Sequence, residues 1–299
     1  MARRISKNEG SRFLVDRDTH PQTLAVLRTR AEPIGVTVET CDVNRGVEGG
    51  DYFGLLLSYP GSSGSLSAPF EQLATEARQA GAVVVAATDL LSLTLLRPPG
   101  EWGADIAVGS AQRFGVPLGF GGPHAGFMSV RDGLERNLPG RLVGVSHDAA
   151  GQPAYRLALQ TREQHIRRER ATSNICTSQV LLAVMSGFYA AYHGPRGLRD
   201  IASRVNQNAS LLANTLKSLG ATPVNVSFFD TVTFSIPGAA GQVVKALAHS
   251  GIDVRFVDDD HFGIAVDETT LMIDRQHPVG VPVEGEPELC PLGDDRGAQ

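Results

Sequence analysis

Apolar runs alternate with amphipathic stretches along the first 130 residues, the pattern expected when parallel strands are joined by helical crossovers. RFLVD (residues 12–16), VTVET (36–40), YFGLLLSY (52–59), AVVVAATD (82–89) and DIAVGS (105–110) read as strands. YFGLLLSY and AVVVAATD are apolar throughout, as strands covered on both faces must be. Pro21 opens a helix through LAVLRTRAE, and APFEQLATEARQA reads as an amphipathic helix closed by Gly81. The intervening PGSSGSL reads as a flexible loop. From Ser178 the pattern turns helical through LLAVMSGFYAAYHG, and after Pro195 it keeps helical spacing to a capping Gly220. TVTFSI, the helix QVVKALAHS, IDVRFV and FGIAV then suggest a smaller α+β unit. After Thr270 the chain turns to proline, glycine and acid without periodicity, and disorder is expected there. The domain expectation is a large unit over 1–195, a connecting helix with a small unit over 196–270, and an irregular tail over 271–299.

Composition narrows the function. At 299 residues and 42% hydrophobic the chain can bury a full core. A net charge of -5 argues against a nucleic-acid surface, which needs a basic excess. No apolar run approaches the roughly 20 residues of a membrane span, and the N-terminus lacks a secretory signal, so the cytoplasm is the default. Cys41, Cys176 and Cys290 stand apart without metal-ligand spacing and read as reduced thiols, and no metal site is expected. Only Lys7, Lys217 and Lys245 are lysines.

The chemistry-bearing stretches leave alternatives open. GSAQRFGVPLGFGGPHAG (109–126) follows a strand and could bring backbone N–H groups to a phosphate, or simply connect two strands through glycines at positive φ. Neither GxxxxGK[ST] nor a GxGxxG after the first strand is present, which removes the usual nucleotide sites. TREQHIRRERATSNICTSQ (161–179) is either a solvated ion-pair network or an anion or interface site. His20 and His124 lie in loops where they could stack on a ring or move a proton. Ser62, Ser63 and Ser65 lack the GxSxG elbow of a serine hydrolase. Asp89 is placed to cap the helical turn that follows it.

GADIAVGSAQRFGVPLGFGGPHAGF, LPGRLVGVS, ALQTREQHIRRERATSNICTSQVLLA and YHGPRGLRDIASR together resemble the N-terminal half of glycine decarboxylase, the P-protein family of the glycine cleavage system. The resemblance runs from about residue 2 to about residue 270 and implies an α/β, fold type I pyridoxal-phosphate (PLP) transferase-like domain. Its sheet is seven-stranded and mostly parallel, a partial small α+β domain follows, and sites form at a subunit interface. It implies an activity in which PLP joins glycine as an aldimine, CO2 leaves, and the aminomethyl group passes to the lipoyl arm of H-protein. The half similar to this chain lacks the cofactor lysine, whose place falls at Gln112, and the acid facing the pyridine nitrogen would fall near Ala86. An amide cannot form an imine, so no catalytic residue is expected here. PLP is then held covalently by a catalytic partner half.

The same resemblance implies that Thr172, Ser173, Asn174 and Thr177 cross to the partner's PLP phosphate, with Arg162, Arg167 or Arg168 lining the interface. The family carries a further strand and helix before the position of Met1, and the tail after Thr270 matches nothing in it, as a truncated reading frame would. The competing readings are an inert or regulatory scaffold and an independent fold type I enzyme of the desulfurase kind. The missing loop lysine and the lack of a well-placed cysteine count against the latter.

Overall fold

The computed structural model of the protein describes residues 1–47, 50–140, 142–159, 164–171 and 179–270. Six strands, β1 (Arg12–Asp16), β2 (Thr37–Cys41), β3 (Tyr52–Tyr59), β4 (Val83–Thr88), β5 (Ile106–Ser110) and β6 (Gly126–Val130), form one sheet in the order β2-β1-β3-β4-β5-β6. All neighbours run parallel except β5 and β6, which are antiparallel. Among the described residues the sheet therefore has six strands, where the resemblance implies seven.

The apolar runs become the covered strands. Every residue of β3 is buried, while β2, at the edge, is largely exposed. Successive side chains alternate faces. Leu55, Leu57, Val84 and Ala86 pack with Phe70, Leu73 and Trp102 on one side, and Val15, Leu56, Val83 and Val85 pack with Ile106 on the other. α1 (Ala2–Ile5) and α2 (Pro21–Ala31) cover the second side, with Leu24 and Leu27 against it. α3 (Phe70–Gln79) covers the first, burying Phe70, Leu73, Ala74 and Ala77 at helical spacing, and α4 (Pro99–Trp102) adds Trp102.

β7 (Leu142–His147) and β8 (Pro153–Ala158) form an antiparallel hairpin outside that sheet, followed by the short α5 (Gln164–Arg167). α6 (Val180–Ser218) breaks at Gly194, whose φ of 62° and ψ of 179° leave helical space. Pro195 then opens the second run, where its missing N–H costs nothing. Ala202, Val205 and Ala209 of that run pack on Leu91 and Phe229. The second sheet, ordered β11-β12-β10-β9, is antiparallel: β9 (Thr222–Pro223), β10 (Thr231–Ser235), β11 (Arg255–Phe256) and β12 (His261–Ala265), with α7 (Ala240–His249) packed against it.

Most expected elements lie within a residue or two of their predicted bounds. IDVRFV is shorter than expected, since only Arg255 and Phe256 pair. β6 is the second strand of the connection left open for the glycine loop, whereas the hairpin was not expected, although LVGVSH and PAYRLA flank the turn-forming DAAGQ, a recognisable hairpin signal. The tail over 271–299 lies outside the described residues.

Candidate functional site at the carboxyl ends of the strands

In an open α/β sheet, ligands collect beyond the carboxyl ends of the parallel strands. Here those ends are Asp16, Tyr59, Thr88 and Ser110, held side by side through the pairings of Val15 with Leu56, Tyr59 with Thr88, and Ala87 with Val108. What stands above them is mostly the protein's own side chains.

The first loop above the sheet is closed. Asp18 Oδ1 accepts from Ser62 Oγ at 2.9 Å and from the Ser63 backbone N–H at 2.8 Å, and its Oδ2 accepts from Ser63 Oγ at 2.6 Å. From the opposite side, Asn225 Nδ2 and Thr233 Oγ1 donate to the Ser63 carbonyl at 3.1 and 2.9 Å, and Arg255 Nη1 donates to that of Ser62. Gly64, at φ 90°, sits so close to Thr231 that a Cβ would overlap its carbonyl oxygen. This loop, expected to be flexible, instead joins the two sheets. Beneath it, Thr19 and Ser58 share a buried hydroxyl bond of 2.8 Å. Burial, chiefly, pushes Asp16 up to about 6.

Arg113 makes the second connection. Its Nη1 bonds Asp230 Oδ2 at 2.5 Å in a largely buried pair, and its guanidinium stands 5.9 Å from the Phe229 ring centroid. Asp89 is raised by burial, against the pull of Arg113, and its Oδ2 accepts from the Ser92 N–H at 2.9 Å, the capping role expected of it. His20 precedes α2 as its N-terminal flank. Desolvation and then Arg255 lower its pKa, opposed by Asp18 and Asp230.

The glycine loop over 111–125 connects β5 to antiparallel β6 and is pinned at its base by the Ala111 N–H to the Ala125 carbonyl, 2.8 Å. Gly115, Gly119 and Gly122 all take positive φ. Of the two alternatives for this loop, the strand connection is what the backbone displays. His124 Nδ1 stays local, 3.0 Å from the Gly122 carbonyl. Gln112 Nε2, Arg113 Nε and Nη2, and Thr88 Oγ1 are buried without a hydrogen-bond partner among the described residues.

These residues do not fit covalent PLP. Gln112 offers an amide where an amine is required, and Ala86, fully buried in β4, offers no acid. Lys7 lies at the other end of the sheet, its N–H on the carbonyl of Gly81 just ahead of β4. Lys217 and Lys245 are exposed on α6 and α7. Cys41 is held as a thiol, raised to about 11 by burial and then by Asp16. Thr172, Ser173, Asn174, Thr177 and Arg162 lie outside the described residues, as do Cys176 and Cys290. Arg167 ends α5 and Arg168 begins the next turn, both exposed. Asp18, Arg113, Asp230 and Arg255 escaped sequence reasoning as a group because their partners lie far along the chain. Among the described residues no three His, Cys, Asp or Glu side chains gather into a metal-binding group, and no helix is long and apolar enough to cross a membrane.

A mostly parallel sheet, crossover helices and a second antiparallel sheet over the strand ends define the fold type I class of PLP-dependent enzymes. A solved aspartate aminotransferase from Thermus thermophilus shares that fold at a TM-score of 0.57 and 18% identity, over 89% of this chain and 75% of its own. Residues 1–277 match the profile of the glycine cleavage system P-protein, and the chain belongs to that family. It is 56% identical over 270 residues to the glycine dehydrogenase (decarboxylating) of Rhodopseudomonas palustris, and 54% identical over 281 residues to that of Bordetella avium. These matches cover 90% and 94% of this chain but 27% and 29% of the relatives, so the chain spans well under a third of their length. A crystal structure of glycine decarboxylase (P-protein) in inhibitor-bound form superimposes at a TM-score of 0.80 with 36% identity, covering 90% of this chain and 64% of that one.

Proposed function

We propose that this chain is the part of a PLP-dependent glycine dehydrogenase (decarboxylating) that lacks the cofactor lysine. Beside a lysine-bearing part, it would complete an enzyme that decarboxylates glycine and passes the aminomethyl group to the lipoyl arm of H-protein. The observation that carries the reading is Gln112: at the place the resemblance gives to the lysine, an amide lies buried, its Nε2 unpaired. The strand ends around it are taken up by the Asp18 and Arg113 contacts, which serve the fold. The covalent step then belongs to the partner, and this chain supplies scaffold and interface. Thr172, Ser173, Asn174 and Thr177 are assigned to the partner's PLP phosphate, because the hydroxyl and amide groups they carry just ahead of α6 can donate to an anion. The break at Gly194 and Pro195 supports a boundary between a large domain over 1–195 and a small one over 196–270.

The test is chemical. Incubation of the purified chain with PLP, borohydride reduction and peptide mass spectrometry should find no pyridoxyl group on Lys7, Lys217 or Lys245. Addition of a lysine-bearing P-protein part should give glycine-dependent exchange of labelled CO2, and replacing Thr172 and Asn174 with Ala should weaken PLP retention by the assembly. A stoichiometric pyridoxyl-lysine in the isolated chain overturns the reading.

A further inference from the structure

The cation at the carboxyl end of the main sheet is only half answered. Arg113 commits Nη1 to Asp230, while its Nε and Nη2 are buried and make no hydrogen bond to the described residues. Nε and Nη2 share one edge of the guanidinium, where their N–H groups form the fork that takes a carboxylate side-on. Thr88 Oγ1, at the end of β4, is in the same condition, in a residue only 9% exposed. Gln112 Nε2, in the turn above β5, is the third such group. All of these can donate, and none meets an acceptor among the described residues.

Two neighbouring strands carry them. The pairing of Ala87 with Val108 sets Thr88 beside Gly109, three residues before Gln112, and a Cβ on Gly109 would overlap the Thr88 carbonyl oxygen. Asp89 follows Thr88 directly. Desolvation works to lower the Arg113 pKa, but Asp89 and then Asp230 outweigh it and raise it, so the guanidinium is a fixed cation over the end of β4. The acids near it do not reach the fork. Asp89 Oδ2 accepts from the Ser92 N–H, and burial raises Asp89 towards its neutral form. Asp267 Oδ1 accepts from the Thr269 N–H and from the hydroxyls of Thr269 and Thr270. Glu268 acts on Arg113 through space alone.

We propose that the Nε–Nη2 edge of Arg113, with Thr88 Oγ1 and Gln112 Nε2, binds one small carboxylate. A buried donor without an acceptor costs about 1–3 kcal/mol, and more when it is charged, which a planar two-oxygen acceptor recovers. The Phe229 ring, 5.9 Å from the guanidinium carbon, flanks the cation, so a ligand the size of formate, acetate or glycine suits the edge. Because Asp230 already balances the charge, recognition rests on two parallel N–H groups rather than on net attraction, and a monatomic anion gains little. Binding is non-covalent and needs no lysine.

The full 299-residue chain would be titrated with sodium formate, acetate and glycine against sodium chloride at constant ionic strength, with the urea midpoint and the heat of binding as readouts. Formate and acetate should raise the midpoint saturably, and chloride should not. Arg113→Lys keeps the charge and a donor for Asp230 but has no fork, and should weaken formate at least about tenfold. Thr88→Val removes the hydroxyl at constant shape. Without ligand it should be as stable as the wild type or more so, since it deletes an orphaned buried polar group, yet it should bind formate at least about threefold more weakly. Should Arg113→Lys fail to fold, Thr88→Val decides alone. Equal saturation by glycine and acetate supports a site that reads the carboxylate only, and a preference for glycine supports the same site with the amino acid as its source. A midpoint raised equally by chloride, which means an adventitious ion only, overturns the proposal. So does the lack of a saturable shift with any carboxylate, wild-type formate affinity in both variants, or a loss of unliganded stability in Thr88→Val.

Discussion

Two glycine-rich loops stand at the same end of the main sheet and meet opposite fates. The loop after β3 answers its polar groups internally: Ser62 and Ser63 are held by Asp18 on one side and by Asn225, Thr233 and Arg255 on the other. The loop after β5 closes its base through Ala111 and Ala125, leaves Gln112 Nε2 unpaired, and turns Leu118 and Phe120 outward. Buried polar groups that are all satisfied mark a joint of the fold. An unpaired buried amide beside exposed large apolar groups is the opposite arrangement. The first loop therefore joins the two sheets of this chain, while the second leaves a buried amide and two large apolar side chains unanswered by the described residues.

Alanine at one glycine of each loop gives the largest test. At Gly64 it adds a Cβ that overlaps the Thr231 carbonyl oxygen, in a backbone at φ 90°, and should cost about 3–5 kcal/mol or prevent folding. At Gly122, φ is 63° and the nearest atom to a new Cβ is Gln112 Nε2 at 3.9 Å, so only the left-handed strain of about 1–2 kcal/mol should appear. Urea midpoints of Gly64→Ala and Gly122→Ala measure the gap. Equal losses would break the contrast.

A smaller effect, and one with a sign in pH, comes from Asp16 under the first loop. Its carboxylate accepts the Asp18 N–H at 2.9 Å, yet burial holds its folded pKa at about 6, above the roughly 3.9 of an unfolded aspartate. A group whose folded pKa is raised binds its proton more tightly in the native state. Its contribution is therefore most favourable below pH 4 and is lost as pH rises through about 6, by up to about 3 kcal/mol. Relative to Asp16→Asn, wild-type stability in urea should decline between pH 4 and pH 7 and level off above. Parallel curves would show that the joint is not built over a strained carboxylate.

The sequence made one side of this comparison far more legible than the other. Apolar runs such as YFGLLLSY declare a covered strand because burial on both faces leaves no place for polar residues. Phe70, Leu73, Ala74 and Ala77 likewise announce the buried stripe of α3. Gln112 was legible because a resemblance gave its position a meaning. The clamp was not: Asp18 meets Ser63 and Ser63 meets Thr233 across 45 and 170 positions, and no local period encodes such a pairing. PGSSGSL carries the composition of a mobile loop, but that same composition supplies the hydroxyls and close approaches of a joint. The exposed stripe of Leu181, Val184, Phe188 and Tyr192 on α6 was hidden for the opposite reason, since periodicity marks an apolar face without saying whether this chain or another covers it.

The smallest effect sharpens the contrast most, because it asks whether an aromatic at the tip of the second loop packs on its own chain. Phe120 occupies φ 61°, a left-handed conformation that costs a residue with a Cβ about 1–2 kcal/mol. Its ring is fully exposed, so it recovers none of that by packing within this chain. Phe120→Gly relieves the strain, while the added freedom of the unfolded chain takes back about 0.4–1 kcal/mol. The variant should thus be equal to the wild type in urea or more stable by up to about 1.6 kcal/mol. A variant more than about 1.5 kcal/mol less stable than the wild type would mean that the ring packs on its own chain after all, since surface changes usually stay within about 0.5 kcal/mol. The glycine loop would then be a second internal joint, and the difference between the two loops would disappear.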